Sequence, residues 1–234
     1  MTTFVLILAV AAWLHFTGAP RWLRQLARLI RRPRTGAGAS AAARARQLRT
    51  PTVRVADQLG IPTQRSREAA RWEAGAVGER RTAERLAVLE SEGWTVLHDR
   101  ALPRTRANLD HLAVSPNGVV IVPDTKRWSG RWPVTIANGG LWHGDREVTD
   151  RLNGVRHEAT RVSEVLGVRA IPVVLLDGPL TPDGPLRLDG VRIVPAADAC
   201  THLRAIARSY PGRRDPSVAA RAARAFPPYA QGHR

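Results

Sequence analysis

Two apolar runs rich in β-branched residues lie near the middle of the chain, at positions 109–115 and 119–124. Pro-Asn-Gly at 116–118 separates them, and such a tripeptide between two strand-like runs predicts a β-hairpin. Around this hairpin, the hydrophobic pattern predicts a helix over 66–92, strands near 94–100, 171–176 and 191–194, a second hairpin over 132–143, and helices near 151–166 and 198–208. The order α-β-β-β-α-β indicates the α/β class.

The register of the first hairpin brings charged side chains together at its open end. Pairing Ser115 with Val119 places Asp110 directly opposite Asp124, with Cβ atoms about 5 Å apart. Because strand side chains alternate between faces, Lys126 projects from the same face as Asp124. Two carboxylates at this separation repel by roughly 3 kcal/mol at an effective dielectric near 20, so the pair would destabilise a sheet unless a cation lies between them.

A divalent cation would relieve this repulsion. Carboxylate oxygens, with other positions left to water and phosphate oxygens, are the ligands that magnesium prefers. The pattern therefore predicts a site for Mg²⁺, or for Mn²⁺, between Asp110 and Asp124. The alternative is two ordinary strand-end aspartates that face solvent, because a slip of one residue in register would separate the pair.

Lys126 stands out in the composition, since the chain contains thirty-five arginines and one lysine. An ammonium group is a compact donor that fits beside a metal-bound water and can lose its proton when buried, whereas a guanidinium stays planar and charged. The composition therefore favours a chemical role for Lys126. The alternative is a single lysine left by compositional drift.

Three segments carry a family resemblance: Gly75-Ala-Val-Gly-Glu79, Asn108-Leu-Asp110-His-Leu-Ala-Val-Ser-Pro-Asn-Gly118 and Val120-Ile-Val-Pro-Asp124-Thr-Lys126-Arg-Trp128-Ser-Gly130. Together they resemble the nuclease-related domain (NERD) family, a branch of the PD-(D/E)XK nuclease superfamily. The resemblance covers about residues 66–209. It implies a restriction-endonuclease-like αβββαβ core with a central mixed sheet.

The resemblance also implies a role for each matched position. Asp110 and Asp124 would be metal ligands and catalytic residues. Lys126 would orient the attacking water, and Glu79 would be a supporting acid. The chain has Asp at position 124 where the family more often has Glu, and Asn153-Gly-Val-Arg-His157 stands where the family has Asn-Pro-x-x-Gln.

The glycines before Glu79 bear on its position. Gly75 and Gly78 each cost a helix interior nearly 1 kcal/mol relative to Ala, so their presence indicates close packing of this turn on the sheet. Such packing would place Glu79 near the hairpin end. Otherwise Glu79, followed by Arg80 and Arg81, belongs to a solvated helix face.

Charge and composition narrow the choice of partner and chemistry. The 234-residue chain has a formal net charge of +16, which favours an anionic partner, either nucleic acid or an acidic membrane surface, unless genome composition alone raised the arginine content. One cysteine, Cys200, excludes an internal disulfide and a multi-thiolate metal site. The sequence contains no His-x-x-x-His spacing, Gly-rich phosphate loop or Gly-x-Ser-x-Gly elbow.

The N-terminal segment predicts a membrane anchor. Residues 4–16 are apolar apart from His15, and a run of arginines follows them. We therefore expect an N-terminal apolar helix that makes a single span of the cell membrane, with the nuclease domain in the cytoplasm; an interfacial helix is the alternative. The predicted boundaries are an anchor at 1–32, a linker with helical patches at 33–65, the nuclease domain at 66–209 and a basic C-terminal tail at 210–234. Within the tail, residues 217–226 are expected to form one more basic helix.

The first functional hypothesis is a metal-dependent phosphodiesterase that cuts nucleic acid, with DNA favoured, at the membrane. In this mechanism Asp110, Asp124 and the Thr125 carbonyl hold the metal, and Lys126 orients or deprotonates the water.

The predicted nucleic-acid contacts are Arg127 and Arg131 to phosphates and Trp128 by stacking. Trp132 is a second candidate for stacking, and partly buried packing is the alternative for both tryptophans. The second hypothesis is a module of the same fold that binds DNA with little activity. The third, a structural protein of the membrane surface, rests on residues 1–34 alone.

Overall fold

The structure is a computed structural model that describes residues 35–105, 107–210 and 215–229. They fall within one compact unit, Thr35–Arg234. The helices in chain order are α1 (Ala39–Leu48), α2 (Pro51–Gln58), α3 (Gln64–Glu90), α4 (Asn153–Leu166), α5 (Ala199–Ser209) and α6 (Ser217–Ala225). The strands are β1 (Thr95–Ala101), β2 (Asn108–Val114), β3 (Val120–Arg127), β4 (Val134–Ala137), β5 (Gly140–His143), β6 (Arg146–Glu147), β7 (Ala170–Asp177), β8 (Leu186–Leu188) and β9 (Val191–Pro195).

The central sheet has six strands in the order β1-β2-β3-β7-β9-β8. It is mixed, because β3 and β7 are parallel, as are β7 and β9, whereas the other neighbours are antiparallel. A second, three-stranded sheet contains β4, β5 and β6. The α/β class and the central mixed sheet are confirmed, and the chain order α3-β1-β2-β3-α4-β7 is the predicted αβββαβ order.

Two apolar layers cover the faces of the central sheet. Val120 and Val122 of β3 belong to one layer, which includes Val155 of α4 and residues of α6. Ile121 belongs to the other, which includes Leu86 of α3 and residues of α5. Because side chains alternate along a strand, β3 presents its even-numbered residues to the α4 side and its odd-numbered residues to the α3 side.

Helix α3 begins two residues before the predicted start at Ser66. The Thr63 hydroxyl caps it by accepting a hydrogen bond from the Ser66 backbone N–H at 3.0 Å. The chain leaves the helix through Gly93, which has φ of +82°. This left-handed conformation favours glycine. The helix ends at Glu90, two residues before the predicted end at residue 92.

Residues 33–65, predicted as a linker with helical patches, contribute two packed helices. Ala41 and Ala45 of α1 are buried, and α1 packs against α3. Gly38 precedes α1, and a Cβ at this position would lie 2.6 Å from the Ala76 carbonyl oxygen. The packed unit therefore extends upstream of residue 66, through small residues whose pattern carries little hydrophobic periodicity.

The C-terminal segment forms the additional basic helix expected over 217–226, as α6. This helix packs on the core and is not part of a solvated tail. Val218 and Ala222 of α6, and Phe226 after it, are buried in the core layer on the α4 side. The Ala101 backbone N–H donates to the Pro227 carbonyl oxygen at 2.8 Å, which fixes the end of this segment against β1. Alanine and arginine dominate α6, so its apolar face is narrow and easily read as a solvated helix.

The predicted localisation at the cell membrane is corrected by the structure. Among the residues described, no helix is both long enough and apolar enough to cross a bilayer. Helix α3 has 27 residues but carries many charged side chains, which a membrane span excludes. The predicted N-terminal apolar helix and anchor, residues 1–32, lie outside the described residues, so the prediction of a single-pass anchor has no support.

The two glycines of α3 provide a matched test of its packing. The expected close approach is confirmed at Gly78, where a Cβ would lie 3.3 Å from Thr125 Cγ2, but not at Gly75, where no atom lies within 4 Å. Gly75→Ala should raise the free energy of unfolding by about 0.5–1 kcal/mol, because alanine favours the helix. Gly78→Leu should lower it by about 1–3 kcal/mol, because the side chain would separate α3 from β3. Urea denaturation measures both, and similar effects at the two positions would contradict this packing.

Candidate active site

The hairpin of β2 and β3 forms in the predicted register. Backbone pairing joins Val114 to Val120, and Gly118 in the connecting loop has φ of +83°. Asp110 and Asp124 each lie four positions beyond this pair, toward the open end of the hairpin. The two aspartates are therefore brought to the same end of the sheet, as expected.

Asp124 and Lys126 form an ion pair on the α4 side of β3. Lys126 Nζ lies 2.6 Å from Asp124 Oδ2, and the aspartate is only 4% exposed. Burial opposes the charge on Lys126, yet the Asp124 carboxylate, by its charge and hydrogen bond, and the charges of Asp110 and Glu158 raise the pKa of the lysine above its ordinary value. Lys126 is thus protonated at neutral pH and can donate hydrogen bonds.

Glu158 is an acidic residue of the site that the sequence analysis did not identify. It lies on α4, which packs against β3, and its neighbour Ala159 is buried in the core with Val155 one turn earlier. Glu158 therefore faces inward. Burial raises the pKa of Glu158 to about 8, and the Asp124 charge adds to this effect.

Glu79 approaches the same cluster from α3. It is 6% exposed, and burial raises its pKa to about 7, assisted by the charges of Asp99 and Asp124. A hydrogen bond from the Gly38 backbone N–H to Glu79 Oε2, at 3.0 Å, opposes this shift. The packing of Gly78 on β3 thus places the next residue, Glu79, near the hairpin end, as predicted.

The N-terminus of α1 holds two buried carboxylates. The Gly38 N–H donates to Glu79, and the Ser40 N–H donates to Asp99 Oδ2 at 3.1 Å. Asn108 Nδ2 donates to Ser40 Oγ at 3.1 Å and so connects this turn to β2. Helix N-termini favour negative charge, so α1 stabilises ionised carboxylates beside the site. Sequence reasoning did not predict these two hydrogen bonds, because their partners are 41 and 59 residues apart in the chain.

Asp110 lies among the other acids of this cluster. Its carboxyl group lies deep among protein atoms, although the residue keeps some solvent contact. Burial raises its pKa well above the ordinary value, and the charges of Glu79, Asp124 and Glu158 add to the effect, whereas Lys126 lowers it. The cluster therefore contains more carboxyl groups than can be ionised together at neutral pH. Some of them retain protons unless a cation binds.

The chemistry of this cluster fits a hard divalent cation, but its arrangement is not a formed coordination site. Carboxylate oxygens are suitable ligands for Mg²⁺ or Mn²⁺. Across the described ranges, however, no three His, Cys, Asp or Glu side chains are grouped so that they could hold a metal ion. Asp124 Oδ2 already binds Lys126, so a metal at Asp124 would use its other oxygen or displace the lysine.

Thr125 faces the opposite side of β3 from Asp124. Its hydroxyl donates a hydrogen bond to the buried hydroxyl of Thr82 on α3 at 3.0 Å. This contact fixes the strand against the helix next to Gly78. The role suggested for the Thr125 carbonyl as a metal ligand stays a prediction.

The three predicted nucleic-acid contacts have different environments. Arg127 and Arg131 are exposed, whereas Trp128 is half-buried and packs on the core. The Trp128 ring lies on the imidazole of His143, with centroids 5.4 Å apart. The arginines are free to meet phosphates, while the tryptophan already has a packing role; all three assignments stay predictions.

His111, next to Asp110, is a packed core residue and not a ligand candidate. Its Nδ1 lies 2.7 Å from Nδ1 of His98 on the paired strand β1, and its side chain is fully buried. Burial lowers the pKa of His98 to about 4 and that of His111 to about 3. Both rings are therefore neutral, with one donating and the other accepting, as expected for a hydrogen-bonded histidine on the face opposite Asp110.

Residues 74–177 match the family model of the nuclease-related domain, NERD. This segment belongs to the NERD family. The match extends from α3 to the end of β7 and contains Glu79, Asp110, Asp124, Lys126 and Glu158. It confirms the resemblance and is consistent with the PD-(D/E)XK superfamily, whose members generally use divalent metals. A NERD domain indicates a nuclease-type hydrolase with nucleic acid as its partner. Comparison with curated proteins and with solved structures gave no match.

The raised pKa of Glu158 predicts a pH-dependent effect on stability of the NERD domain. Relative to an ordinary pKa of 4.5, the folded-state pKa of about 8 means that the neutral carboxyl contributes stability below pH 4.5, which is lost as pH rises through 8. When pH is raised from 5 to 9, the free energy of unfolding of Glu158→Gln should therefore increase by at least about 1 kcal/mol relative to that of the unaltered protein.

The measurement is urea denaturation in EDTA at both pH values. Glu164→Gln is the matched control, because Glu164 lies on the same helix but is exposed. It should show no such pH dependence. A constant difference between Glu158→Gln and the unaltered protein would contradict the burial of this carboxyl among other acids.

Proposed function

We propose that the NERD domain is a divalent-metal-dependent nuclease that hydrolyses phosphodiester bonds of nucleic acid, with DNA as the first substrate to test. The observation that carries this proposal is the ion pair of Lys126 with Asp124, at 2.6 Å, beside the carboxyl groups of Asp110, Glu79 and Glu158, whose pKa values are all raised by partial or full burial. Neighbouring acids can hold a divalent metal, and the adjacent lysine can donate a hydrogen bond to the attacking water.

Asp110, Asp124 and the Thr125 carbonyl are the proposed ligands of Mg²⁺ or Mn²⁺. When bound, the metal supplies Lewis acidity to the scissile phosphate and lowers the pKa of a coordinated water. The excess of buried negative charge supports this assignment, because a divalent cation offsets repulsion that Lys126 alone leaves uncompensated. Hydrolysis would then form a bond between the water oxygen and phosphorus and break the bond from phosphorus to one sugar oxygen; the water gives one proton to solvent, and the departing sugar oxygen takes one from solvent.

Lys126 acts in this proposal as a hydrogen-bond donor. Its pKa is raised by the surrounding carboxylates, so the protonated form orients a water or steadies a phosphate oxygen instead of removing a proton. This narrows the sequence-based hypothesis, in which Lys126 either oriented or deprotonated the water. A guanidinium in the same place would be larger and planar, and would pair with Asp124 through two fixed donors instead of presenting one compact donor to a water or phosphate oxygen.

Glu158 is proposed to position Lys126 during the reaction. With Asp124 serving as a ligand, Glu158 provides a further carboxyl group close to the lysine, which accepts a hydrogen bond in either protonation state. It can therefore hold the ammonium on the reacting side of the site. Glu79, held by the Gly38 N–H, supports the charge balance from the other face of the sheet.

A second candidate function is a NERD module that binds DNA without cutting it. The ion pair between Asp124 and Lys126, and the lack of a formed three-ligand group among the residues described, favour this alternative. The net charge of +16 is sufficient for nonspecific binding of nucleic acid. Metal-dependent cleavage distinguishes the two functions.

Substitution of Lys126 tests the need for an ammonium group. Lys126→Arg should lose cleavage nearly as fully as Lys126→Ala, by about 100-fold or more, because the guanidinium cannot take the compact donor position. Both variants should keep DNA affinity, since many arginines remain.

The assay follows cleavage of single-stranded and duplex DNA and RNA by the full chain with Mg²⁺ or Mn²⁺. The control is Arg187→Ala, which removes one exposed positive charge from the edge strand β8. It should cleave as fast as the unaltered protein. Full activity of Lys126→Arg would rule out the proposed role, and absence of cleavage with every substrate and metal would leave the binding module.

Substitution of Asp124 tests the metal site independently of cleavage. Mg²⁺ at 100 times its dissociation constant should stabilise the unaltered protein by about 2.7 kcal/mol, because it binds only the folded state. Asp124→Asn should lose this stabilisation, whereas Lys126→Ala should keep it. Thermal unfolding with EDTA or Mg²⁺ measures the effect, and Asp145→Asn, an exposed acid in the β5–β6 turn, is the control. Equal stabilisation of Asp124→Asn and the control would exclude Asp124 as a ligand.

A further inference from the structure

The segment after Lys126 carries an exposed tryptophan on a rigid support. Trp132 is 50% exposed. On either side of it, the Ser129 carbonyl oxygen lies 2.9 Å from His143 Nε2, and the Pro133 carbonyl accepts a hydrogen bond from the Gly144 N–H at 3.0 Å. These contacts fix the main chain on both sides of Trp132 to the small sheet, so the backbone that carries the indole has a defined position.

Gly144 allows the indole to lie directly on the turn between β5 and β6. Its φ is +63°, and a Cβ here would lie 3.2 Å from both Cβ and Cγ of Trp132. The turn therefore presents bare backbone to the side chain. A ring supported in this way loses little freedom when a ligand covers its exposed surface, which favours binding.

Arginine side chains accompany this ring. The Arg131 guanidinium carbon lies 5.2 Å from the centroid of the Trp132 ring, and Arg131 and Arg127 are both exposed. A cation over an exposed indole is a weak interaction, whereas stacking of a nucleobase on an aromatic ring is stronger. A base can therefore replace the guanidinium on the ring, and the guanidinium then has the neighbouring phosphate as a partner.

We propose that Trp132 and Arg131 form a stacking subsite for an unpaired base in a single-stranded stretch of nucleic acid. Bases inside a duplex are already covered on both faces, so the subsite selects single strands or frayed ends. The inference rests on the proposed function, because the subsite would bind the strand that the domain cuts; Trp132 follows Lys126 by six residues in the chain. It assigns base stacking to Trp132 in preference to Trp128, whose ring already lies on His143.

Binding to single-stranded and duplex DNA tests the subsite without cleavage. The full chain is titrated in EDTA against a fluorescein-labelled DNA of about 15 nucleotides, the RNA of the same sequence and the matching duplex, with fluorescence anisotropy as the readout. Trp132→Ala should weaken binding of the single strands about tenfold and that of the duplex less than about twofold. Trp132→Phe should keep most of the affinity. Comparison of the RNA with the DNA of the same sequence shows whether the sugar contributes to binding at a subsite that is proposed to contact the base.

Two further measurements separate stacking from charge. Trp72→Ala removes an indole of similar exposure, 42%, from α3 and should change neither affinity. Trp132→Ala should leave the slope of log affinity against log salt unchanged, because stacking displaces no counterion, whereas Arg131→Ala should reduce the slope by about one unit for both DNA forms.

Unchanged affinity of Trp132→Ala for the single strands, or an equal loss for single strands and duplex, would overturn the subsite. So would an unaltered protein that binds no single-stranded nucleic acid. If Trp132→Ala selectively loses affinity for single strands but the unaltered protein never cleaves, the subsite stands and the proposed nuclease function is refuted. If the protein cleaves but Trp132→Ala shows no such selective loss, the nuclease function stands and the subsite is refuted.

Discussion

The buried negative charge at the open end of the β2–β3 hairpin is the constraint that the surrounding structure must satisfy. Asp110 and Asp124 come from the hairpin, Glu79 from one side of the sheet and Glu158 from the other. Lys126 offsets only part of this charge. An isolated carboxylate in such an environment is costly, so it remains protonated, binds a cation or accepts hydrogen bonds. A site that groups several such carboxyl groups around one lysine is suited to taking up a positively charged ion.

The segment before α3 contributes to this balance although its sequence resembles a linker. The first turn of α1 points two N–H groups at Glu79 and Asp99. Its position depends on Gly38, which approaches the backbone of α3 more closely than any other residue type could. The positive end of this helix therefore offsets negative charge on the side of the sheet opposite Lys126.

Local patterns predicted much of the fold, whereas long-range contacts set the details that were missed. Apolar runs and the Pro-Asn-Gly loop were sufficient for the β2–β3 register, and period-two alternation was sufficient to place Lys126 beside Asp124. Glu158 was missed because one acid among several on a helix carries no sign of which side chain faces the sheet. It directly follows His157, where the chain departs from the family pattern. Helices α1 and α6 were missed as packed elements because they bury alanines, which produce weak hydrophobic periodicity.

Alternation along β3 also connects stability to chemistry. Even-numbered positions carry Asp124 and Lys126 toward α4, while Thr125 contacts Thr82 and Gly78 on α3. A displacement of α3 would therefore move Glu79 away from the cluster and loosen the strand that holds its main ion pair. The close contact at Gly78 costs helix propensity, yet it keeps the acids of both faces within electrostatic reach of each other. This position is where a change in packing would alter the charge balance of the site without touching any of its charged residues.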